Sequence, residues 1–440
     1  MSRTLMRAAF VAALLGVSNP ALAATDTSSE LADLKAQMAQ MQNRINQLEK
    51  AQKEQAAQQQ AAAQAVPQPT GEQSRANAFN PAISVVLDGH YGIYSSNNPD
   101  LSGFAVGEEG GRAGEGLAID EAEIGLSSNV DDKFTASAIA SLSEEDGETS
   151  VELEEAFVRT LGLPYGLGIK AGRFLTPVGY MNDHHTHTDD FADRPLPNRA
   201  FLGGAYKDDG VMATWILPTD FYARIGAAVF RGNDFPGGGS VGAGPGAWLA
   251  FARTGGDVGD NQSWLAGLSM LQTRPGAREG NDGAVIFHGN SDLYAASLRY
   301  IWDPTGNSQQ QEVTFQGEYF LRMEDGTYED TDAATGVVAY NGNQRGWYAQ
   351  GVYKFAPQWR VGTRYSRLTA DGVPVGLAGS ALDSGGHDPW NATVMGDWTN
   401  SEFSRVRLQY SHEAPSKGET DNQLMLQYVM SIGSHPAHTF

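Results

Sequence analysis

Hydrophobic side chains occupy every second position in long stretches of the chain from Ile83 onward. Clear examples run over 134–142, 221–229 and 424–432. Alternation with a period of two is typical of a β-strand that presents one apolar face. About sixteen segments of about ten residues show this pattern, and 9–11 residues are enough for a tilted strand to cross a lipid bilayer. The pattern predicts an all-β fold, a transmembrane antiparallel β-barrel of about 16 strands.

The connections between these segments alternate in length. Tight turns are predicted at 129–132, 162–164, 218–219 and 356–357. Long loops rich in Gly, Asp and Asn are predicted at 95–116, 232–246 and 324–344. Short turns on one side and long loops on the other are typical of outer-membrane barrels. A soluble β-propeller or sandwich is the alternative, but such folds show no alternation of loop length and their strands are usually five or six residues long.

The longest connection is the third long loop, residues 175–209, which reads LTPVGYMNDHHTHTDDFADRPLPNRAFLGGAYKDD. Loops of this length inside a compact domain are usually functional, and we expect this one to lie in or over a channel. Pro195 and Pro197 stiffen its second half. Arg194 and Arg199 flank the prolines and are candidates for contact with an anionic solute at a constriction. The alternative, which we favour, is that they pair with the loop's own aspartates.

Histidine and aspartate are concentrated in the first half of this loop. The candidate metal ligands are His184, His185, His187, Asp183 and Asp189. Imidazole and carboxylate groups suit zinc and related divalent cations. These residues predict a zinc or other divalent cation site, and with it an alternative function as a metal-binding outer-membrane receptor or a metal-gated channel. The other interpretation is a polar loop whose histidines hydrogen-bond to the lumen wall.

The strand alternation also predicts which charged side chains face the lumen. If the apolar positions face lipid, the basic residues that face inward are Lys170, Arg224, Arg299, Lys354, Arg360, Arg364, Arg405 and Arg407. The same parity places Glu121 and Glu123 inside. Basic rows in a channel favour anions because the low-dielectric wall focuses their field. Most bases lie on the later strands and most acids on the early ones, so we also expect a field across the pore.

The N-terminal part of the chain has a different character. Residues 1–23 combine two arginines, an apolar run and a small-residue site, which predicts a cleaved secretory signal peptide. Residues 24–66 contain a heptad seam formed by Leu31, Leu34, Met38, Met41, Ile45 and Leu48. This seam predicts a parallel coiled coil and therefore a homo-oligomer; a lone amphipathic helix is the alternative. Residues 67–82 read as a linker, and 83–440 as the barrel.

Three features resemble known bacterial outer-membrane porins. The run Gly172-Arg173-Phe174-Leu175-Thr176-Pro177-Val178-Gly179 resembles the strand-to-loop element of the phosphate-selective porins O and P. A coiled coil before a barrel resembles the DcaP-like trimeric porins, which take up small organic anions. The terminal Phe440 resembles the assembly signal of outer-membrane proteins. The resemblance implies a homotrimer in the outer membrane of a Gram-negative bacterium, with the coiled coil in the periplasm and the third loop folded into the pore.

These observations predict a porin for passive diffusion of small hydrophilic solutes, with anions as the favoured candidates, rather than an enzyme. A formal net charge of −22 argues against nucleic acid as a partner, and the absence of cysteine excludes disulfides and thiolate chemistry. The expected partners are outer-membrane lipid, further copies of the chain and the solutes. An outer-membrane hydrolase would need a Ser–His pair near one rim, which the sequence does not suggest. A structural tether with a filled barrel is a further alternative.

Overall fold

A computed structural model describes residues 81–97, 100–145, 148–239 and 242–433 of the chain. The predicted signal peptide and coiled coil, most of the predicted linker, and the terminal Phe440 lie outside these residues. The first strand begins at Ala82 and the last ends at Gly433. Among the described residues, helices are all too short or too polar to span a membrane.

Within the described ranges, seventeen β-strands form one sheet. The first nine are β1 (Ala82–Tyr94), β2 (Gly116–Asn129), β3 (Phe134–Glu145), β4 (Glu148–Thr160), β5 (Leu167–Leu175), β6 (Lys207–Ile216), β7 (Tyr222–Phe230), β8 (Ala247–Asp257) and β9 (Gln262–Thr273). The others are β10 (Arg278–Gly280), β11 (Val285–Trp302), β12 (Glu312–Asp330), β13 (Val338–Ala356), β14 (Trp359–Ala370), β15 (Trp390–Ser401), β16 (Ser404–Ala414) and β17 (Asp421–Gly433).

Sixteen of these strands close into an antiparallel barrel. Each pairs with its neighbour along the chain, β9 pairs directly with β11, and β17 pairs back onto β1. The three-residue β10 lies in an outer loop and only lengthens the edge of β11. Each barrel strand corresponds to one of the sixteen predicted segments, so the predicted 16-stranded barrel is confirmed. Among the described residues, every barrel strand therefore has a paired neighbour on both sides, which is the condition for β-structure in a bilayer.

The two faces of the barrel wall differ as they do in membrane barrels. On β12, Phe315 is 54% exposed on the outside, whereas its neighbour Gln316 is 5% exposed on the inside. Leu268 on β9 and Leu408 on β16 repeat the pattern of an apolar, outward-facing side chain. The inward polar side chains are buried because outer loops, rather than water alone, fill much of the lumen.

Strands β11, β12 and β13 extend beyond the segments that alternation marked. The predicted long loop at 324–344 is wrong, because β12 continues to Asp330 and β13 begins at Val338. Tyr328 packs between Phe287 and Tyr340, with ring centroids 4.6 Å and 5.1 Å away, and these inward contacts hold the extensions together. The outer face of this region carries polar residues, so the apolar alternation that marks a lipid-facing strand is missing there.

The main hydrophobic core lies inside the outer half of the barrel. It forms around a short helix, α1 (Leu196–Leu202), which belongs to the loop between β5 and β6. Phe201 of α1 packs against Phe320 of β12 and against Phe104 of the first outer loop, with ring centroids 6.0 Å and 5.9 Å away. This core therefore holds two outer loops against the inner wall.

Candidate functional site in the barrel lumen

The loop that connects β5 and β6 spans residues 176–206 and is called the lumen loop below. It contains two 3-10 turns, Met181–Asp183 and Thr186–Thr188, followed by α1. Pro195 and Pro197 stand at the start of α1, where a missing backbone N–H costs nothing. Gly203 ends the helix in the left-handed conformation with φ of 60°. These local signals give the loop a fixed course.

The side chain of Asn182 closes the neck of the lumen loop. Its amide nitrogen donates to the carbonyl oxygens of Thr176 and Tyr206, at 2.8 Å and 2.9 Å. Its amide oxygen accepts from the backbone N–H of Tyr206 at 2.7 Å. All three residues are fully buried. The side chain of Asn182 thus joins the two ends of the lumen loop where they leave the barrel wall.

Contacts with distant strands show that the lumen loop lies inside the barrel. The backbone N–H groups of Tyr180 and Met181 donate to the carboxylate of Glu318 on β12, at 3.0 Å and 2.9 Å. The backbone N–H of Ala192 donates to Gln409 on β16 at 2.9 Å. Because β12 and β16 lie far around the wall from β5 and β6 where the loop starts, the loop crosses the lumen.

Gly179 permits the closest approach of the loop to the wall. Its φ is +71°, and a Cβ atom added there would lie 1.9 Å from an oxygen of Glu318. Its own N–H donates to the hydroxyl of Ser269 on β9 at 3.0 Å. Only glycine fits this combination of a left-handed backbone and a carboxylate directly over Cα.

The aspartates of the lumen loop face the basic part of the wall. Asp190 lies 2.8 Å from Arg360, and Asp193 lies 2.7 Å from Arg364, both on β14. Burial alone would raise the pKa of Asp190, but the guanidiniums of Arg360 and the neighbouring arginines together outweigh it and hold the pKa below its ordinary value. On β16, the guanidiniums of the two arginines donate to loop carbonyl oxygens at 2.8 Å: Arg405 to His187, and Arg407 to Asp189.

Two loop histidines face the acidic part of the wall. His185 Nδ1 lies 3.0 Å, and His187 Nδ1 3.2 Å, from the same oxygen of Glu123 on β2. His185 Nε2 lies 3.4 Å from Glu155 on β4. Burial alone would lower the pKa of His185, but hydrogen bonds to Glu123 and Glu155 outweigh it and raise the pKa to about 10. The lumen loop therefore presents acidic side chains to the basic part of the wall and histidines to its acidic part.

The five predicted metal ligands do not come together. His184 hydrogen-bonds through Nδ1 to the carbonyl of Tyr180 at 3.0 Å, Asp183 pairs with Arg253 at 2.7 Å, and Asp189 pairs with Arg194 at 3.0 Å. Successive residues in a tight loop point in different directions, so adjacency in sequence does not bring their ligand atoms together. Only His185 and His187 converge, and their third neighbour is Glu123, which was predicted to line the pore.

The predicted lumen-lining side chains all lie on the inward face, but most contact the lumen loop. Lys170 lies 3.5 Å from Glu155, and Arg299 lies 3.9 Å from Asp190. Glu121 accepts a hydrogen bond from Thr186 of the loop at 3.2 Å. Three of them contact other parts of the wall instead: Lys170, whose partner Glu155 lies on β4, and two near the short-turn end, where Arg224 lies over the ring of Phe251 and Lys354 is opposite Arg360 in the strand register. Few of these charges remain for direct contact with a solute.

Arg194 and Arg199 are also engaged. Arg194 pairs with Asp189 and donates to the carbonyls of Gly204 and His184, at 3.0 Å and 2.6 Å. This arginine therefore pairs within its own loop. Arg199 pairs instead with Glu413 of β16 at 2.9 Å, and so fastens α1 to the wall.

Wall residues that contact the loop but were not singled out from the sequence include Arg253, Glu155 and Gln409. Alternation places Arg253 and Gln409 on an inward face, whereas Glu155 faces inward because a β-bulge at Glu154 shifts the register of β4. Alternation does not specify the position around the barrel, so it could not identify the loop residue that each one meets.

A cavity of about 1300 Å³ opens among the outer loops, and we call it the outer vestibule. Six carboxylates line it, those of Asp100, Asp282, Asp330, Asp332, Asp383 and Glu419. Within the part of the chain that the structure describes, lysine, arginine and histidine are absent from this lining. Burial and the neighbouring Asp282 raise the pKa of Asp100. The entrance is therefore strongly acidic.

Comparison with known proteins places this chain in a family. No known family profile matches it. A protein of Aquifex aeolicus (strain VF5), described as an uncharacterized protein, is 31% identical over 394 residues, which cover 82% of this chain and 80% of that protein. The two proteins belong to one family.

Solved structures share the fold of this chain. The outer membrane channel DcaP of Acinetobacter baumannii is 13% identical, with a TM-score of 0.52 over 80% of this chain and 96% of that one. An anion-selective porin from Comamonas acidovorans is 10% identical, with a TM-score of 0.51 over 80% and 99%. OprB of Pseudomonas putida is 14% identical, with a TM-score of 0.50 over 82% and 96%. This chain has the porin fold, and the predicted resemblance to outer-membrane porins is confirmed at that level.

Proposed function

We propose that this porin-fold chain is an outer-membrane diffusion channel of a Gram-negative bacterium, and that the lumen loop sets its narrowest section. The observation that carries this proposal is the set of hydrogen bonds from the loop to the far walls, such as those from Tyr180 and Met181 to Glu318. A sixteen-stranded barrel is wide enough for an aqueous channel. A loop fixed across the lumen reduces its cross-section and limits passage to small hydrophilic solutes.

The charged side chains of the lumen and of the outer vestibule affect whether the channel favours anions or cations. The arginines of β14 and β16 would favour anions by themselves. Asp190 and Asp193 of the lumen loop pair with two of them, and the outer vestibule is lined by six carboxylates. A solute from outside therefore meets negative charge first and a largely neutralised basic wall afterwards. We propose a weak preference for cations at low salt, opposite in sign to the anion preference predicted from the basic row.

Conductance in a planar bilayer tests both parts of the proposal. The purified protein should give discrete current steps, and a salt gradient should give a reversal potential of the sign that reports cation preference. The same measurement in about 1 M salt is the control, because screening shortens the Debye length to about 3 Å and should remove most of the selectivity. Absence of current steps would contradict the channel. A reversal potential of the opposite sign would restore the prediction of anion preference.

The homotrimer and the periplasmic coiled coil stay predictions from the sequence. Their test is the mass of the detergent-solubilised protein with and without residues 24–66. We expect the full chain to be trimeric and the shortened chain still to conduct. A tether with a filled barrel would instead fail to conduct in both forms.

A further inference from the structure

We propose that Glu123, His185 and His187 form a binding site for one divalent transition-metal ion, best suited to zinc, which fastens the lumen loop to β2. Each residue offers one ligand atom, and these three atoms lie within 4.8 Å of one another. The site joins two elements, because the histidines belong to the loop and the glutamate to the wall. The inference stands whether or not the barrel conducts.

The distances between the ligand atoms suit a small ion. The Nδ1 atoms of His185 and His187 lie 3.0 Å and 3.2 Å from one oxygen of Glu123. Two ligands at about 2.0–2.1 Å from one zinc ion in tetrahedral geometry are separated by roughly 3.3 Å. The two distances from Glu123 are therefore close to those around a bound ion, and the two histidine nitrogens, which lie within 4.8 Å of each other, would have to close on the ion. Two histidines and one glutamate also form a recurrent zinc ligand set that leaves a fourth position open.

The surrounding contacts hold the histidines in place before any ion binds. The hydroxyl of Thr188 donates to the carbonyl of His185 at 2.7 Å and closes the 3-10 turn. Arg405 of β16 donates to the carbonyl of His187 at 2.8 Å, so the turn is fixed from the far wall as well. Glu123 lies on β2, which pairs on both sides with neighbouring strands. A metal site needs its ligands held by such supporting contacts.

A second carboxylate completes the environment. Glu155 lies 3.4 Å from Nε2 of His185, on the opposite side of the ring from Glu123. Metal-binding histidines commonly hydrogen-bond to a carboxylate through the second ring nitrogen, which orients the ring and increases its basicity. The negative charge of Glu123 and Glu155 also favours a divalent cation between the two rings.

Cobalt binding to the full-length protein in detergent tests the site. The protein should carry no histidine tag and should be stripped with a chelator first. Because the chain has no cysteine, visible absorption bands report only nitrogen and oxygen ligands. We expect one ion per chain, with a spectrum of four- or five-coordinate cobalt that zinc abolishes by competition. Absence of binding, or a purely six-coordinate spectrum, would overturn the proposal.

Variants identify the ligands. His187→Ala and Glu123→Gln should weaken binding by roughly 100-fold or more, since even loss of an outer hydrogen-bond partner costs 10–100-fold. His184→Ala is the matched control, because that ring hydrogen-bonds to Tyr180 instead, and it should bind normally. A double replacement of His435 and His438, which lie outside the described residues, should also bind normally. Equal loss in the His184 variant, or retention in both ligand variants, would refute the assignment.

A measurement on the unaltered protein avoids any folding defect in the variants. X-ray absorption at the zinc edge should show two imidazole ligands and oxygen at about 2.0 Å. A first shell without imidazole would overturn the proposal. Single-channel conductance of the same sample reports separately on the channel, so failure of the metal site and failure of the porin function are distinguishable.

Discussion

Replacement of Gly179 by alanine is the sharpest perturbation of the lumen loop. The new Cβ would lie 1.9 Å from an oxygen of Glu318, and the residue would have to keep a φ of +71°. The strained backbone and this contact require either the loop or the carboxylate of Glu318 to shift. That movement breaks the hydrogen bonds from the N–H groups of Tyr180 and Met181 to the same carboxylate.

The expected loss of docking free energy follows from these contacts. A left-handed backbone costs a residue other than glycine roughly 1–2 kcal/mol. A hydrogen bond to a charged group contributes about 1.5–3 kcal/mol. Part of the loss of Tyr180 and Met181 contacts is recovered when the loop relaxes, so we expect about 4 kcal/mol. This corresponds to a roughly 1000-fold larger population of the undocked loop. The strand ladders do not take part, so the barrel itself should stay folded.

Hydrogen exchange and current noise measure this effect. The amides of Tyr180 and Met181 should lose their protection, whereas amides of β12 keep theirs, and open-channel noise should rise. Gly372→Ala is the matched control, because Gly372 lies in an outer loop with nothing within 4 Å of the added Cβ. Protection at Tyr180 and Met181 equal to that in the Gly372→Ala protein would refute the claim that Gly179 docks the loop.

Three further predictions address the neck, the vestibule and the outer wall. Asn182→Ala removes the side-chain hydrogen bonds at the neck and should lower the opening free energy of the whole lumen loop by about 1–3 kcal/mol, so that its amides exchange faster; unchanged exchange would contradict this role. Joint replacement of Asp100, Asp282 and Asp332 by asparagine should lower cation preference in low salt and have little effect in 1 M salt, as judged by reversal potentials; equal effects at both salts would contradict a screened field. Leu268→Arg should destabilise the folded barrel by about 2–4 kcal/mol in lipid, as measured by denaturant unfolding, if this exposed side chain faces the bilayer midplane.

The sequence was most informative where a physical requirement repeats along the chain. Lipid must meet an apolar side chain at every second position, so stretches such as 134–142 identified the strands, and the parity oriented Arg364 and Arg407 inward. The requirement ends where β12 and β13 leave the membrane. That is why residues 324–344 read as a loop although Tyr328 and Tyr340 pack within extended strands.

The site itself could be predicted only in outline. Loop length and proline content marked the lumen loop, but its contacts join residues far apart in the chain, such as Asp193 and Arg364. Parity gives the side of the wall on which a residue lies, and not its angle around the barrel. The metal ligands show the same limit, since Glu123 comes from β2 and no spacing within the loop relates it to His185 and His187.

The central claim is that the lumen loop narrows a conducting pore, and thiol blocking of a single cysteine tests it most directly. The chain contains no cysteine, so Thr186→Cys places one reactive thiol on the exposed side of the loop. Val375→Cys is the control, because Val375 is 92% exposed in an outer loop. After both are labelled with a bulky, water-soluble thiol reagent, conductance should fall sharply for Thr186→Cys and stay unchanged for Val375→Cys. Full labelling of Thr186→Cys without any loss of conductance would contradict the account.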